Sequence, residues 1–234
     1  MSAQRPWGPA MRIDGFDHVV FDMDGVLLDS NGMKIEAARQ AFAAVDPRPA
    51  DEFASHFRHN FGLTRREHFV WGWRELLQPL GHQDTVIDTM MDDYARRVGE
   101  CYRSCPVTDG THDLLQHVDA PCYVLTGSGQ DEARSLLKQI GLAPGFVEIL
   151  GSPRGKLENL RGLAQTHSIQ PDRGVLIGDS RHDFATAQAF GLSFVLVTRY
   201  MPFDAADLAD EVLACDGVVV DTLRDLIPSG NPRC

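Results

Sequence analysis

Four acids stand out by type and spacing. Asp22 and Asp24 lie in Phe21-Asp22-Met23-Asp24-Gly25-Val26, and Asp179 and Asp183 lie in Ile177-Gly178-Asp179-Ser180-Arg181-His182-Asp183. Each pair follows a short apolar run, and another such run, ending at Leu125, is followed by Thr126, Gly127 and Ser128. In an open α/β sheet, ligands bind beyond the carboxyl ends of the strands. Asp22, Asp24, Asp179, Asp183 and Thr126 are therefore expected to converge on one rim. Carboxylates a few ångströms apart raise one another's pKa and do not all ionise without a cation. All-oxygen donors select a hard ion, and Mg²⁺ is usually held by one or two carboxylates together with phosphate and water. The set predicts Mg²⁺ and a phosphate, with Asp22 kept ionised and available as a nucleophile. A lone Asp after a strand is ordinarily a turn or helix-cap residue, and Asp183 alone fits the first turn of a helix. The conjunction of the two motifs, and not any single acid, argues for chemistry.

The elements that must position these residues are legible as short apolar runs: His18–Phe21, Cys122–Leu125, Phe146–Leu150, Val175–Ile177, Phe194–Val197 and Val218–Val220. They are rich in β-branched and aromatic residues and do not alternate with polar ones, as strands buried on both faces of a parallel sheet read. Helical patterns lie between them. One runs over Asp131–Ile140 and stops at Gly141; others run over about 156–167 and about 181–190, the last stopping at Gly191. This alternation implies right-handed βαβ units and an α/β fold with a doubly wound, Rossmann-like parallel sheet. Residues 33–104 show no strand pattern. Met33–Val45, Ala50–Asn60, Thr64–Leu77 and Thr85–Tyr102 read as helices, punctuated by Pro47, Pro49, Gly62, Pro79 and Gly81. The chain accordingly divides into an α/β catalytic core (1–30 and 106–234) and an inserted all-helical cap (31–105), the usual form of a lid.

Composition narrows the partners. The 234 residues carry a formal net charge of −11, which repels phosphate backbones, so nucleic acid is not an expected partner. No apolar run approaches the ~18–20 residues of a membrane span. The stretch Met1–Met11 has no apolar core of the signal-peptide kind, which speaks for a cytoplasmic protein. The cysteines (101, 105, 122, 215 and 234) are odd in number and scattered, as reduced thiols in the cytosol are. The expected partner is a small phosphate ester, and the expected assembly a monomer or homodimer.

The motifs together resemble the haloacid dehalogenase superfamily phosphohydrolases with a helical cap, in the branch of phosphoglycolate phosphatase and beta-phosphoglucomutase. The resemblance runs from Val19 to about Leu226, with Phe21–Val26, Val124–Gly127, Lys156 and Ile177–Asp183 as the motifs in order. It implies that Asp22 attacks phosphorus and forms an aspartyl-phosphate. Asp24 would protonate the leaving oxygen, then activate water, and lend its backbone carbonyl to Mg²⁺. Thr126, with Gly127 beside it, and Lys156 would bind the phosphoryl oxygens. Asp179 would ligate Mg²⁺ directly, and Asp183 would support the metal. Arg154, two residues before Lys156, is a competing cation, but Lys156 leads into the helix as the family's lysine does. Asp24 marks the phosphate-ester branch, since dehalogenases of this fold lack it and use no metal.

Specificity is expected from the cap, since the core site meets only phosphate. Residues 56–67 concentrate cations, and Arg58 and Arg65 are the candidates to meet an anionic substrate. Thr64 fits a Thr-x-x-Glu capping box with Glu67. His56, His59 and His68 read as surface or packing residues, Phe42 and Phe53 as cap core, and Trp71 and Trp73 as packing the cap against the core. The segments 62–65 and 151–156 resemble family members encoded with surface-sugar pathways, which suggests a sugar or sugar-acid phosphate; phosphoglycolate is the other candidate. Three alternatives stay open: a sugar-phosphate mutase of the same fold, a receiver-like domain, and a silent binding protein.

Overall fold

The structure, a computed structural model, describes residues 13–61 and 63–228. The Met1–Met11 segment, Gly62 and Cys234 lie outside the described residues. In chain order the elements are β1 (His18–Phe21), α1 (Asn31–Ala43), α2 (Ala50–His59), α3 (Arg65–Gly72), α4 (Val86–Tyr102), α5 (Thr111–His117), β2 (Cys122–Gly129), α6 (Gln130–Gln139), β3 (Glu148–Ser152), α7 (Lys156–His167), β4 (Gly174–Gly178), α8 (Arg181–Phe190), β5 (Ser193–Val197), α9 (Ala206–Ala214) and β6 (Val218–Val220).

The strands form one parallel sheet in the order β3-β2-β1-β4-β5-β6. The order reverses between β1 and β4, the topological switch point at which ligands bind in such sheets. Register brings the two acid motifs together there. Phe21 pairs with Ile177, and the Asp22 N–H donates to the Ile177 carbonyl at 2.8 Å. Strand residues alternate between two buried faces. Val19, Phe21, Val175 and Ile177 belong to one apolar cluster, and Val20, Leu176 and Leu196 to the other. That double burial is why the runs read as continuously apolar.

The first cluster continues into the helices α1 to α4, all of which fall between β1 and β2. Phe42 stacks on Phe53 at 4.2 Å, and Phe53 and Tyr94 both pack on Phe69. The chain enters and leaves this helical block side by side. The Asp29 N–H donates to the Pro106 carbonyl (3.0 Å), and the Thr108 N–H donates to the Leu27 carbonyl (3.1 Å). Among the described residues, no helix is long and apolar enough to cross a membrane. Cys101, Cys105, Cys122 and Cys215 are free thiols.

The structure differs from the sequence reading in four places. The third strand is Glu148–Ser152 and not Phe146–Leu150, because Phe146 ends a tight turn and packs edge-on against Phe21 at 5.9 Å. The second strand extends from Cys122 to Gly129, with a register shift against β3 after Leu125, so Thr126 lies within it. The helix read over Thr64–Leu77 is α3 followed by a π-helical turn (Trp73–Leu77) and a 3-10 turn (Gln78–Leu80), closed by Gly81 at φ +89°. Trp71 lies flat on the His56 ring (3.5 Å, 4°), and Trp73 Nε1 donates to the His82 carbonyl. Both of these contacts lie within the helical block, where α3 packs on α2 and α4.

Candidate active site

Each of the four acids is fixed by the element before or after it. Asp22 leaves β1 and is 5% exposed. Asp179 follows β4, and Asp183 sits in the first turn of α8, whose N-cap Ser180 accepts from the Asp183 N–H and donates to Asp183 Oδ2 at 2.5 Å. A Cβ on Gly178 would stand 2.4 Å from the Asp183 Cβ, so only glycine admits the helix this close to the strand end. Lys156 opens α7 and is buried; its Nζ lies 2.7 Å from Asp22 Oδ1 and 2.5 Å from Asp183 Oδ1.

Oxygens of Asp22, Asp179 and Asp183 all lie within 4.8 Å of one another. Three carboxylates face one ammonium, and the imbalance shows in the titration of Asp22 and Asp179. Burial pushes Asp22 up to about 7 against the pull of Lys156, with the charges of Asp183 and Asp24 adding to the rise. Burial and the same neighbours, Asp22 and Asp183, push Asp179 well above the ordinary carboxylate range. Lys156 goes above its usual value, because the two acids outweigh its burial. The Asp179 Oδ1 atom is buried with no hydrogen-bond partner. Clustered carboxylate oxygens short of positive charge, one of them orphaned, make a donor set that fits a hard divalent cation.

Asp24 behaves oppositely although it stands two residues from Asp22. Its Oδ1 accepts from Ser30 Oγ (2.6 Å) and Tyr102 Oη (2.7 Å), and its Oδ2 from Lys34 Nζ (2.6 Å) and Ser128 Oγ (3.1 Å). Burial raises its pKa, but the Lys34 charge and these bonds outweigh it and hold Asp24 below the ordinary range. Two carboxylates whose surroundings drive their pKa values apart are suited to separate roles in catalysis. The Asp24 side chain is not part of the Asp22, Asp179 and Asp183 group.

Above the acids lies a cavity of about 20 Å³, room for about one water. Asp22, Asp24, Gly127 and Lys156 line it from below, and Lys34, Arg65, His68 and Tyr94 from the helical block. Thr126 is buried beside it; its Oγ1 accepts from the Ser128 N–H and lies 3.5 Å from Asp24 Oδ2. Arg65 bonds Glu132 of α6 at 2.6 Å and rests over the Tyr94 ring at 4.9 Å, bridging the helical block to the sheet layer. Burial drives His68 down to about 3, so the ring is neutral. Arg58 is exposed on α2 and is not among the lining residues. Arg154 is exposed, with Glu158 at 3.6 Å. Thr64 caps α3 in a capping box with Glu67.

Sequence reasoning missed the grip of the helical block on the site. Ser30, Asn31 and Lys34, at the start of α1, are each bonded to Asp24 or Asp179, and Tyr102 reaches Asp24 from the end of α4. One signal was present. Lys34 falls in helical register with Ala37, Ala38 and Ala41, all on the buried face of α1. A lysine on an apolar stripe needs a buried partner.

A family model described as haloacid dehalogenase-like hydrolase matches residues 19–197. A phosphoglycolate phosphatase of Neisseria meningitidis is 32% identical over 195 residues, covering 80% of this chain and 82% of its own. A tyrosine-protein kinase of Mycobacterium tuberculosis is 26% identical over 220 residues, covering 89% of this chain and 72% of its own. A solved hydrolase of Pseudomonas syringae superposes with a TM-score of 0.73 at 19% identity, over 90% of this chain and 95% of that one; at that identity the likeness is one of fold.

Proposed function

The chain belongs to the haloacid dehalogenase-like hydrolase family, and on that premise we propose that it is a phosphatase hydrolysing a small phosphate monoester through a phosphorylated Asp22. The observation that carries this reading is the meeting of Asp22, Asp179, Asp183 and Lys156 at the switch point of the sheet.

An Asp22 carboxylate oxygen bonds to phosphorus as the ester P–O bond breaks, and the leaving oxygen takes a proton from Asp24. Water then attacks phosphorus and gives its proton to Asp24; the Asp22–phosphorus bond breaks and releases phosphate. Splitting one displacement into two is the gain from a covalent intermediate. Asp24 as found is a carboxylate, ready as the base of the second step. To act first as an acid it must be loaded with a proton, which requires its 2.6 Å contact with Lys34 to loosen. Lys156, Thr126 and Gly127 are assigned to the phosphoryl oxygens, with Lys156 offsetting the charge they gather. Mg²⁺, held by Asp22, Asp179, Asp183 and the Asp24 backbone carbonyl, would supply the further positive charge that phosphoryl transfer requires.

The helices α1 to α4 are proposed as the cap that selects the substrate, within the division 31–105 of the chain. The cavity is small and its cap side carries the cations Lys34 and Arg65, which suits a compact anionic leaving group. The name printed for the Neisseria relative makes 2-phosphoglycolate the first candidate, ahead of sugar and sugar-acid phosphates. Arg65 is retained as a specificity residue; exposed Arg58 is not given that role.

The test is hydrolysis of p-nitrophenyl phosphate and of a panel of phosphate esters that includes 2-phosphoglycolate. Turnover with Mg²⁺ is expected to vanish in EDTA, and Asp22→Asn to lower kcat by more than about 10³-fold. A fully active Asp22→Asn protein overturns the mechanism.

A further inference from the structure

Asn31 is the first residue of α1 and fully buried. Its Nδ2 donates to Asp179 Oδ2 at 2.6 Å and to the Tyr200 carbonyl at 3.1 Å. Both partners are acceptors, so the amide orientation is forced. Its Oδ1 is then left buried without a donor, as is Asp179 Oδ1. Unmatched buried oxygens are costly, so two of them on bonded side chains at the acid trio call for a ligand that satisfies both. The backbone is shaped around this contact. Gly25 has φ +83°, and a Cβ there would stand 2.0 Å from Asp179 Oδ2 and 2.3 Å from Asn31 Nδ2.

We propose that Asn31 is a positioning residue of the divalent-cation site. Its amide occupies Asp179 Oδ2 and so reserves Oδ1 for the cation, while its own Oδ1 accepts from water that the cation carries. The inference rests on the cation reading given under Proposed function. It gives the cap a direct hold on the metal site, since the residue that opens the cap's first helix orients a ligand of the core. Partners that orient metal ligands typically change metal affinity about 10–100-fold when removed.

The experiment titrates Mn²⁺ into the full-length protein and follows the free-ion signal by electron paramagnetic resonance. It compares wild type, Asn31→Ala and Asn31→Ser, and in parallel measures the Mg²⁺ dependence of hydrolysis. Asn31→Ala is expected to weaken Mn²⁺ binding by about tenfold or more. The Mg²⁺ concentration for half-maximal rate should rise by a larger factor than kcat falls, a split that general loosening of the fold would not produce. Asn31→Ser retains a short donor and should fall between the two; it is the variant read if Asn31→Ala fails to unfold cooperatively. Mn²⁺ affinity within about twofold of wild type in the variant read overturns the role of Asn31, being far below the loss that removing an orienting partner causes. A wild-type protein that binds no Mn²⁺ overturns the cation reading itself, so the two failures are distinguishable.

Discussion

Asp22→Asn should abolish turnover and yet stabilise the metal-free protein. In the folded chain Asp22 titrates at about 7, against an ordinary 3.8, mainly because burial penalises its charge. The gap is worth about 4 kcal/mol. The sign follows from proton counting. Between about pH 4 and about pH 7 the unfolded chain has released this proton and the folded chain still holds it, so folding stability falls as pH rises through that window. Above about pH 7 the full penalty is present. Asparagine keeps the shape and an oxygen for Lys156 Nζ, now 2.7 Å from Asp22 Oδ1, but carries no charge. The pull of Lys156 on the charge is already included in that shift, so the gain at about pH 8 should approach the full amount. The assay is urea unfolding in EDTA at about pH 5.5 and about pH 8, where the advantage of the variant should differ by about 2 kcal/mol. Saturating Mg²⁺ should reverse the order, since binding to the folded state stabilises wild type and the variant has lost a ligand. A variant less stable than wild type in EDTA at both pH values, or an advantage indifferent to pH, would refute the account of the acid cluster.

Two further substitutions probe the grip on Asp24 and on Asp179. Lys34→Met leaves Asp24 buried with Ser30, Tyr102 and Ser128 as close donors and the Thr126 hydroxyl at 3.5 Å. Losing one partner of a buried pair costs about 3–5 kcal/mol, and the remaining donors should hold the loss in urea unfolding near the lower end. Removing the lysine's charge also raises the Asp24 pKa, so the acid limb of the pH–rate profile should move to higher pH; an unmoved limb would remove Asp24 from the base role. Gly25→Ala puts a methyl 2.0 Å from Asp179 Oδ2 at a φ of +83°. The backbone strain alone costs about 1–3 kcal/mol, and Mn²⁺ binding should be lost while the fold, read by circular dichroism, survives. Retained Mn²⁺ affinity would show that the Asp179–Asn31 contact does not shape the cation site.

The sheet and the approach of Asp22 to Asp179 were legible in the chain because both are local consequences of strand pattern. Parallel strands buried on two faces announce themselves as apolar runs, and a polar residue just beyond such a run can only stand on the rim. Asp183 was placed by its spacing after the strand that ends at Ile177, and Lys156 by the resemblance, which sets its lysine at the start of a helix. The boundaries that moved did so where packing overrode pattern. Phe146 is apolar because it meets Phe21, and β2 runs on past Leu125 to pair Gly129 with Ser152.

What the tertiary structure alone decided is the environment of those acids. Asp22 and Asp24 are alike in type and neighbours in sequence, yet one rises to about 7 and the other falls. The difference lies in Lys34 and Tyr102, delivered by helix faces whose orientation depends on how α1 and α4 pack over the rim. Arg58 and Arg65 were equal candidates by composition; the turn between α2 and α3 leaves the first in solvent and sets the second between Tyr94 and Glu132. Residue type and spacing determine which groups are present at the site. Burial and the distance to a charge, which exist only once distant segments are packed, determine their protonation and hence their chemistry.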